Sequence, residues 1–150
     1  MKITNALAIL VLAVAIAFDP WADWDVQPRF GVSEVLGYAR TVRDKLTPMC
    51  KKDGFASVKG IAELGVTHQG PSTVVKAAVL KQMGPESVSL TISLGAIHRH
   101  YLFTLVRTSP VPEGSTLTFH MTCKEQATAW RLVSTTIEQK YLPASLRSDR

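Results

Sequence analysis

The sequence lacks the marks of a catalyst. It has no Gly-x-Ser-x-Gly placement to hold a nucleophile at a strained turn. No glycine loop of the phosphate-cradling kind occurs either. Neither enzyme activity nor a cofactor is expected. Metal ligands are also sparse. His98-Arg99-His100 puts two imidazoles on one strand face, but no third ligand stands at a recognisable spacing, and Arg99 opposes a cation. His68 and His120 are isolated. There is no internal repeat and no low-complexity tract.

Charge is also scarce, at 19% of residues, with a net charge of +5 from 17 Lys and Arg against 12 Asp and Glu. Only Lys51 and Lys52 are adjacent bases, and no run of five or more exists. The bland reading is a solvated basic surface. The sharper one gathers Lys51, Lys52, Lys59, Lys76 and Lys81, with Arg99 and Arg107, into a face that attracts DNA, since phosphate contacts need only clustered positive charge.

There are two cysteines, Cys50 and Cys123. Past an exporting segment they are either a disulfide or two buried thiols. Cys123 shares strand parity with Leu117, Phe119 and Met121, so it faces the core. Cys50 follows the helix that should cover that core, and we expect the two to be bonded.

Long apolar runs are limited to one. Ala6 to Phe18 is unbroken over 13 residues, whereas a full membrane span needs about 20. Residues 1–24 therefore read either as a retained anchor or as a cleaved secretory signal. Both readings export residues 25–150. Asp19-Pro20 closes the run, where proline kinks or ends a helix. Trp21 and Trp24 beside it suit a membrane–water interface or ordinary packing.

In residues 32–46, Val32, Val35, Leu36, Ala39, Val42 and Leu46 form one stripe along a helix. Pro48 disfavours helix at Thr47, and Gly54 is a stop. Residues 54–72 hold Gly54, Gly60, Gly65 and Gly70 and read as a surface loop with a short turn at Ile61 to Leu64. The period then changes to two. Strands are predicted from Val74 to Leu80, through Val88, Leu90, Ile92 and Leu94, less cleanly through Tyr101, Phe103 and Leu105, and through Leu117, Phe119 and Met121. Pro110 to Gly114 is a turn, and Trp130 to Val133 adds a last strand. A helix followed by antiparallel strands is an α+β domain.

The C-terminal stretch Trp130 to Arg147, WRLVSTTIEQKYLPASLR, resembles the end of the type IV pilins. There a last strand with an aromatic residue leads through a Thr-rich turn into a Lys-Tyr-Leu-Pro segment that closes the globular head. Val32-Ser33-Glu34 is similar to the step that opens the sheet-packed half of the pilin helix, and Asp19-Pro20 to the step before its kink. The resemblance covers residues 6–48 in pattern and 115–147 in pattern and residues. It implies a pilin-like fold in which an apolar helix continues into an amphipathic helix on an antiparallel sheet. It also implies a structural or accessory subunit of a pilus, active in adhesion or assembly. Such a chain contacts other subunits through its N-terminal helix and sits in the inner membrane with a periplasmic head, or in the pilus.

Two departures qualify what is implied. The family's usual bridge lies close to the C-terminus, and Leu146 stands where one of its cysteines commonly falls, so Cys50–Cys123 is a substitute. The basic leader, the Gly-Phe junction and the early Glu of the family are not visible, and no carboxylate lies in the apolar run. In the family that Glu pairs with a terminal amine in the filament, so the pattern implies a rare component rather than the bulk subunit. Two alternatives remain open: a pilin-like module that binds DNA or another ligand, and a soluble periplasmic protein released by signal cleavage.

Overall fold

The computed structural model describes residues 26–66, 74–99, 107–108 and 111–147. The apolar segment 1–24, His68, His100 and the strand expected around Tyr101 to Leu105 lie outside the described residues. The side chains of Arg99 and Arg107 do too.

Helix α1 runs from Val26 to Asp53. Its predicted stripe of Val32, Val35, Leu36, Ala39, Val42 and Leu46 is buried throughout, and Cys50 extends it by one more turn. Lys51 and Lys52 in the last turn suit the negative end of the helix dipole. The helix passes through Pro48 instead of stopping before it. A proline costs the bond to the carbonyl four residues back. Here Pro48 is on the exposed side, where water can serve that carbonyl, while Leu46 and Cys50 stay anchored in the core. The helix ends at Gly54, whose φ of 68° is left-handed.

Residues 54–66 are less of a surface loop than the glycines suggest. Phe55, Val58, Leu64 and Val66 are all buried. The Phe55 N–H donates to the Pro85 carbonyl at 2.7 Å, and Gln82 Nε2 donates to the Phe55 carbonyl at 3.0 Å. The 3-10 turn at Ile61–Leu64 stands where it was predicted. Burying Phe55 and Leu64 against the sheet outweighs the local lack of periodicity.

Four strands form the main sheet. They are β1 (Val75–Gly84), β2 (Ser87–Leu94), β5 (Thr116–Lys124) and β6 (Ala127–Thr135), in the order β1-β2-β5-β6 with every pair antiparallel. Between β2 and β5, β3 (His98–Arg99) and β4 (Arg107–Thr108) make a small separate pair. On β2 and β5 alternate residues are buried without exception up to Cys123, which is what the period of two requires. The inner face of the sheet and the stripe of α1 enclose one core, with Phe119 stacked on Trp130 at 4.9 Å. Gly31 leaves room for Ile97, which a side chain at that position would meet at 2.7 Å.

The β5–β6 hairpin turns through Glu125 and Gln126, with φ values of 50° and 64°. A two-residue turn with both φ positive matches the twist of the strands but favours Asn and Gly. The sheet ends in a tail closed by Ile137, Tyr141 and Leu142, all buried, with 3-10 turns at Gln139–Tyr141 and Ala144–Leu146. Arg147 Nε donates to the Leu142 carbonyl at 2.9 Å and pins the tail. Among the described residues no helix is long and apolar enough to cross a membrane.

Candidate functional site

Three features stand apart from the core: a disulfide, the outer face of the sheet, and a groove along the edge of β6.

A disulfide joins Cys50 to Cys123, with Cα atoms 5.5 Å apart. It ties the last turn of α1 to the end of β5. The surrounding backbone is clamped independently. The β1–β2 turn offers the Pro85 carbonyl to Phe55 N–H and the Glu86 carbonyl to Cys123 N–H, the latter at 2.8 Å.

The lysines considered for nucleic acid are spread over α1, β1 and the loop before the 3-10 turn. Lys51 and Lys52 lie on α1, which covers the inner face, and Lys81 projects from the outer face. Lys76 is at the far end of β1, with Nζ 2.8 Å from Glu113. Lys59 stands in the loop before the 3-10 turn, where its N–H donates to Glu63 Oε2 at 3.2 Å.

The sheet assembles a different set. Strand register aligns Lys81 with Ser89, Ser89 with His120, and His120 with Arg131. This row crosses all four strands on the outer face. Hydroxyls surround it, among them Ser87, Ser93 and Thr122, and Thr91 and Thr118 share a hydrogen bond of 3.2 Å. Among the described residues this face carries no carboxylate; Glu86 and Glu125 stand in the turns at one end. Val79 and Met83 are exposed beside Lys81. His120 looks isolated in sequence, and nothing local marks Arg131. Alternation reveals that His120 points outward, but which residues lie beside it depends on register across strands far apart in the chain.

The groove runs between β6 and the C-terminal tail and encloses about 560 Å³. Its apolar lining comes from Trp130, Leu132 and Leu146, each partly buried, and from the exposed Val133. Arg131 and Arg147 border it, with Thr135 among its hydroxyls and no carboxylate in its lining. The Arg43 guanidinium lies 5.2 Å from the Trp130 ring centroid on the helix side, a cation–π contact. One bulge interrupts β6: Phe119 pairs with Leu132 and Thr118 with Ser134, so Val133 is extra. The bulge resets the parity of the strand. Thr135 therefore turns inward, and its Oγ1 donates to the Thr116 carbonyl at 3.0 Å.

Two phenols and an ammonium complete the electrostatics. The Tyr38 hydroxyl is buried with no hydrogen-bond partner among the described residues, and burial pushes its pKa above the ordinary value. The Lys140 ammonium is raised chiefly by its hydrogen bond to Glu138, 2.9 Å away, and then by Tyr141, whose ring it overlies at 4.9 Å. No three His, Cys, Asp or Glu residues gather to hold a metal ion among the described residues. The chain matches no family model, and no curated protein or solved structure proves similar to it.

Proposed function

We propose that this chain is a type IV pilin-like structural or accessory subunit, exported and held at the inner membrane or in the pilus by residues N-terminal to α1. The observation that supports it best is one amphipathic helix lying along a four-stranded antiparallel sheet, with its start leading back to the apolar run 6–18. The tail supports the same reading, since Tyr141 and Leu142 of the Lys-Tyr-Leu-Pro segment close the core. Phe30, 63% exposed on the first turns of α1, suits a contact with a neighbouring subunit. A disulfide in this position also suits an oxidising compartment.

Tagged protein expressed in piliated cells tests this. It should be found in the membrane fraction, with a smaller share in sheared filaments, and its mature N-terminus should retain the apolar run. A soluble periplasmic product that starts after Ala17 would sink the proposal. Exclusion from both the membrane and the pili would do the same.

A second reading draws on the row Lys81, His120 and Arg131. A pilin-like module that binds DNA through the outer sheet face would lose retention on DNA steeply with salt. Retention that Lys81→Glu leaves unchanged would exclude that face.

A further inference from the structure

We propose that the edge of β6, which no described strand pairs with, is a docking site for an extended, acidic segment of a partner protein, which adds to the sheet as a fifth strand. A strand last in its sheet presents a row of backbone N–H and C=O groups that another chain can pair with. β6 is such a strand, and the groove beside it supplies what an edge alone does not. The bulge at Val133 leaves Ala127 to Leu132 as the regular stretch, about the length of an ordinary strand. A segment paired there runs its end into the groove.

The side chains then set the chemistry of the occupant. Successive residues of the added strand point to opposite faces. Those facing inward cover Trp130, Leu132 and Leu146, whose burial is incomplete, and are therefore apolar. Those facing outward lie beside Arg131, with Arg147 bordering the groove, and no carboxylate lines it. Carboxylates at alternate positions complement that charge. A second copy of this chain is a poorer fit. The other edge of the sheet, β1, carries Lys76 and Lys81 and no acidic residue, and β6 against β6 sets arginine near arginine. A nucleic acid would leave the backbone edge unpaired.

The experiment uses the full oxidised chain and three eight-residue probes. One alternates Val with Glu, one alternates Val with Lys, and one is the Val-Glu peptide N-methylated at alternate residues. Amide hydrogen exchange reads the site. The Val-Glu peptide should slow exchange in residues 127–135, and the Val-Lys and N-methylated peptides should not. Arg131→Glu should weaken Val-Glu binding about fivefold, as expected for reversing one exposed charge, while Arg131→Lys retains it. Arg131 is exposed, so neither change threatens folding. The proposal is overturned if millimolar Val-Glu peptide protects nothing in 127–135, or if the Val-Lys peptide binds equally well. Protection that rises with protein concentration alone would assign the edge to a second copy. Protection by an oligonucleotide in place of the peptide would assign it to nucleic acid. Either outcome also refutes the proposal.

Discussion

Replacing both cysteines with alanine should destabilise the fold without unfolding it. Cys50 and Cys123 are separated by 73 positions. In the chain-entropy account, a cross-link over a loop of that size removes unfolded-state freedom worth about 4 kcal/mol at room temperature. Both side chains are nearly buried, at 4% and 7% exposure, so alanine adds only a small void. Serine would instead bury a hydroxyl and confuse the measurement. At about 3 °C per kcal/mol for a domain of this size, the midpoint of thermal unfolding should fall by about 12 °C. Urea unfolding separates the cause. If the bond acts on the unfolded chain, the variant exposes more surface on unfolding, so its m-value rises as its midpoint falls. The folded spectrum should be unchanged, because the backbone N–H groups of Phe55 and of position 123 still bond to the Pro85 and Glu86 carbonyls. Coincident urea midpoints for oxidised wild type and the double alanine variant would refute the reasoning.

Phe119→Ala should cost about 3–5 kcal/mol, since its ring is fully buried and stacked on Trp130, and urea denaturation reads the loss directly. Gly54→Ala should cost more than about 1 kcal/mol, because φ is 68° and the new Cβ would sit 2.9 Å from the Pro85 oxygen. By contrast, Gln126→Gly should raise stability by about 1 kcal/mol, as it relieves a left-handed residue in the β5–β6 turn; a lower melting point would show that the native side chain contributes something the turn needs. Tyr38→Phe should change stability at neutral pH by no more than about 1 kcal/mol, the hydroxyl having no partner among the described residues. The phenol pKa is raised in the fold, so the unfolded chain deprotonates first. The stability Tyr38 contributes is present below about pH 10 and declines as pH rises through its folded pKa, and the Phe variant should escape that share of the alkaline loss.

Short-range patterns were legible wherever burial follows a fixed period. The stripe from Val32 to Leu46 and the alternation through Val88–Leu94 and Leu117–Met121 needed no tertiary knowledge, because each is a helix or strand with one face in the core. Parity also placed Cys123 inward and made its pairing with Cys50 readable. Pro48 misled because the rule about residues before proline is local, and a helix pinned by Leu46 and Cys50 overrides it. Phe55 and Val58 were hidden by their glycine neighbours, since their burial depends on the β1–β2 turn about 30 residues away. The basic row and the β6 groove were illegible for a related reason. Lys81, Ser89, His120 and Arg131 come from four strands, and the groove needs the tail to fold back past the bulge.

The disulfide also decides how the domain responds to being pulled. Tension applied between the start of α1 and the tail enters at Cys50 and leaves at Cys123 through the sulfur atoms. The residues between form a closed ring outside the load path, and that ring holds all of β1 and β2 and most of β5. Of the stretch from residue 26 to 147, only 26–50 and 123–147 can pay out, about 170 Å of extended chain at the usual reach per residue, whereas the reduced chain could yield about 420 Å. A force probe would record a short first extension in the oxidised protein and a long one after reduction. Under load the oxidised domain would therefore yield at its two ends while the strands inside the ring stayed slack.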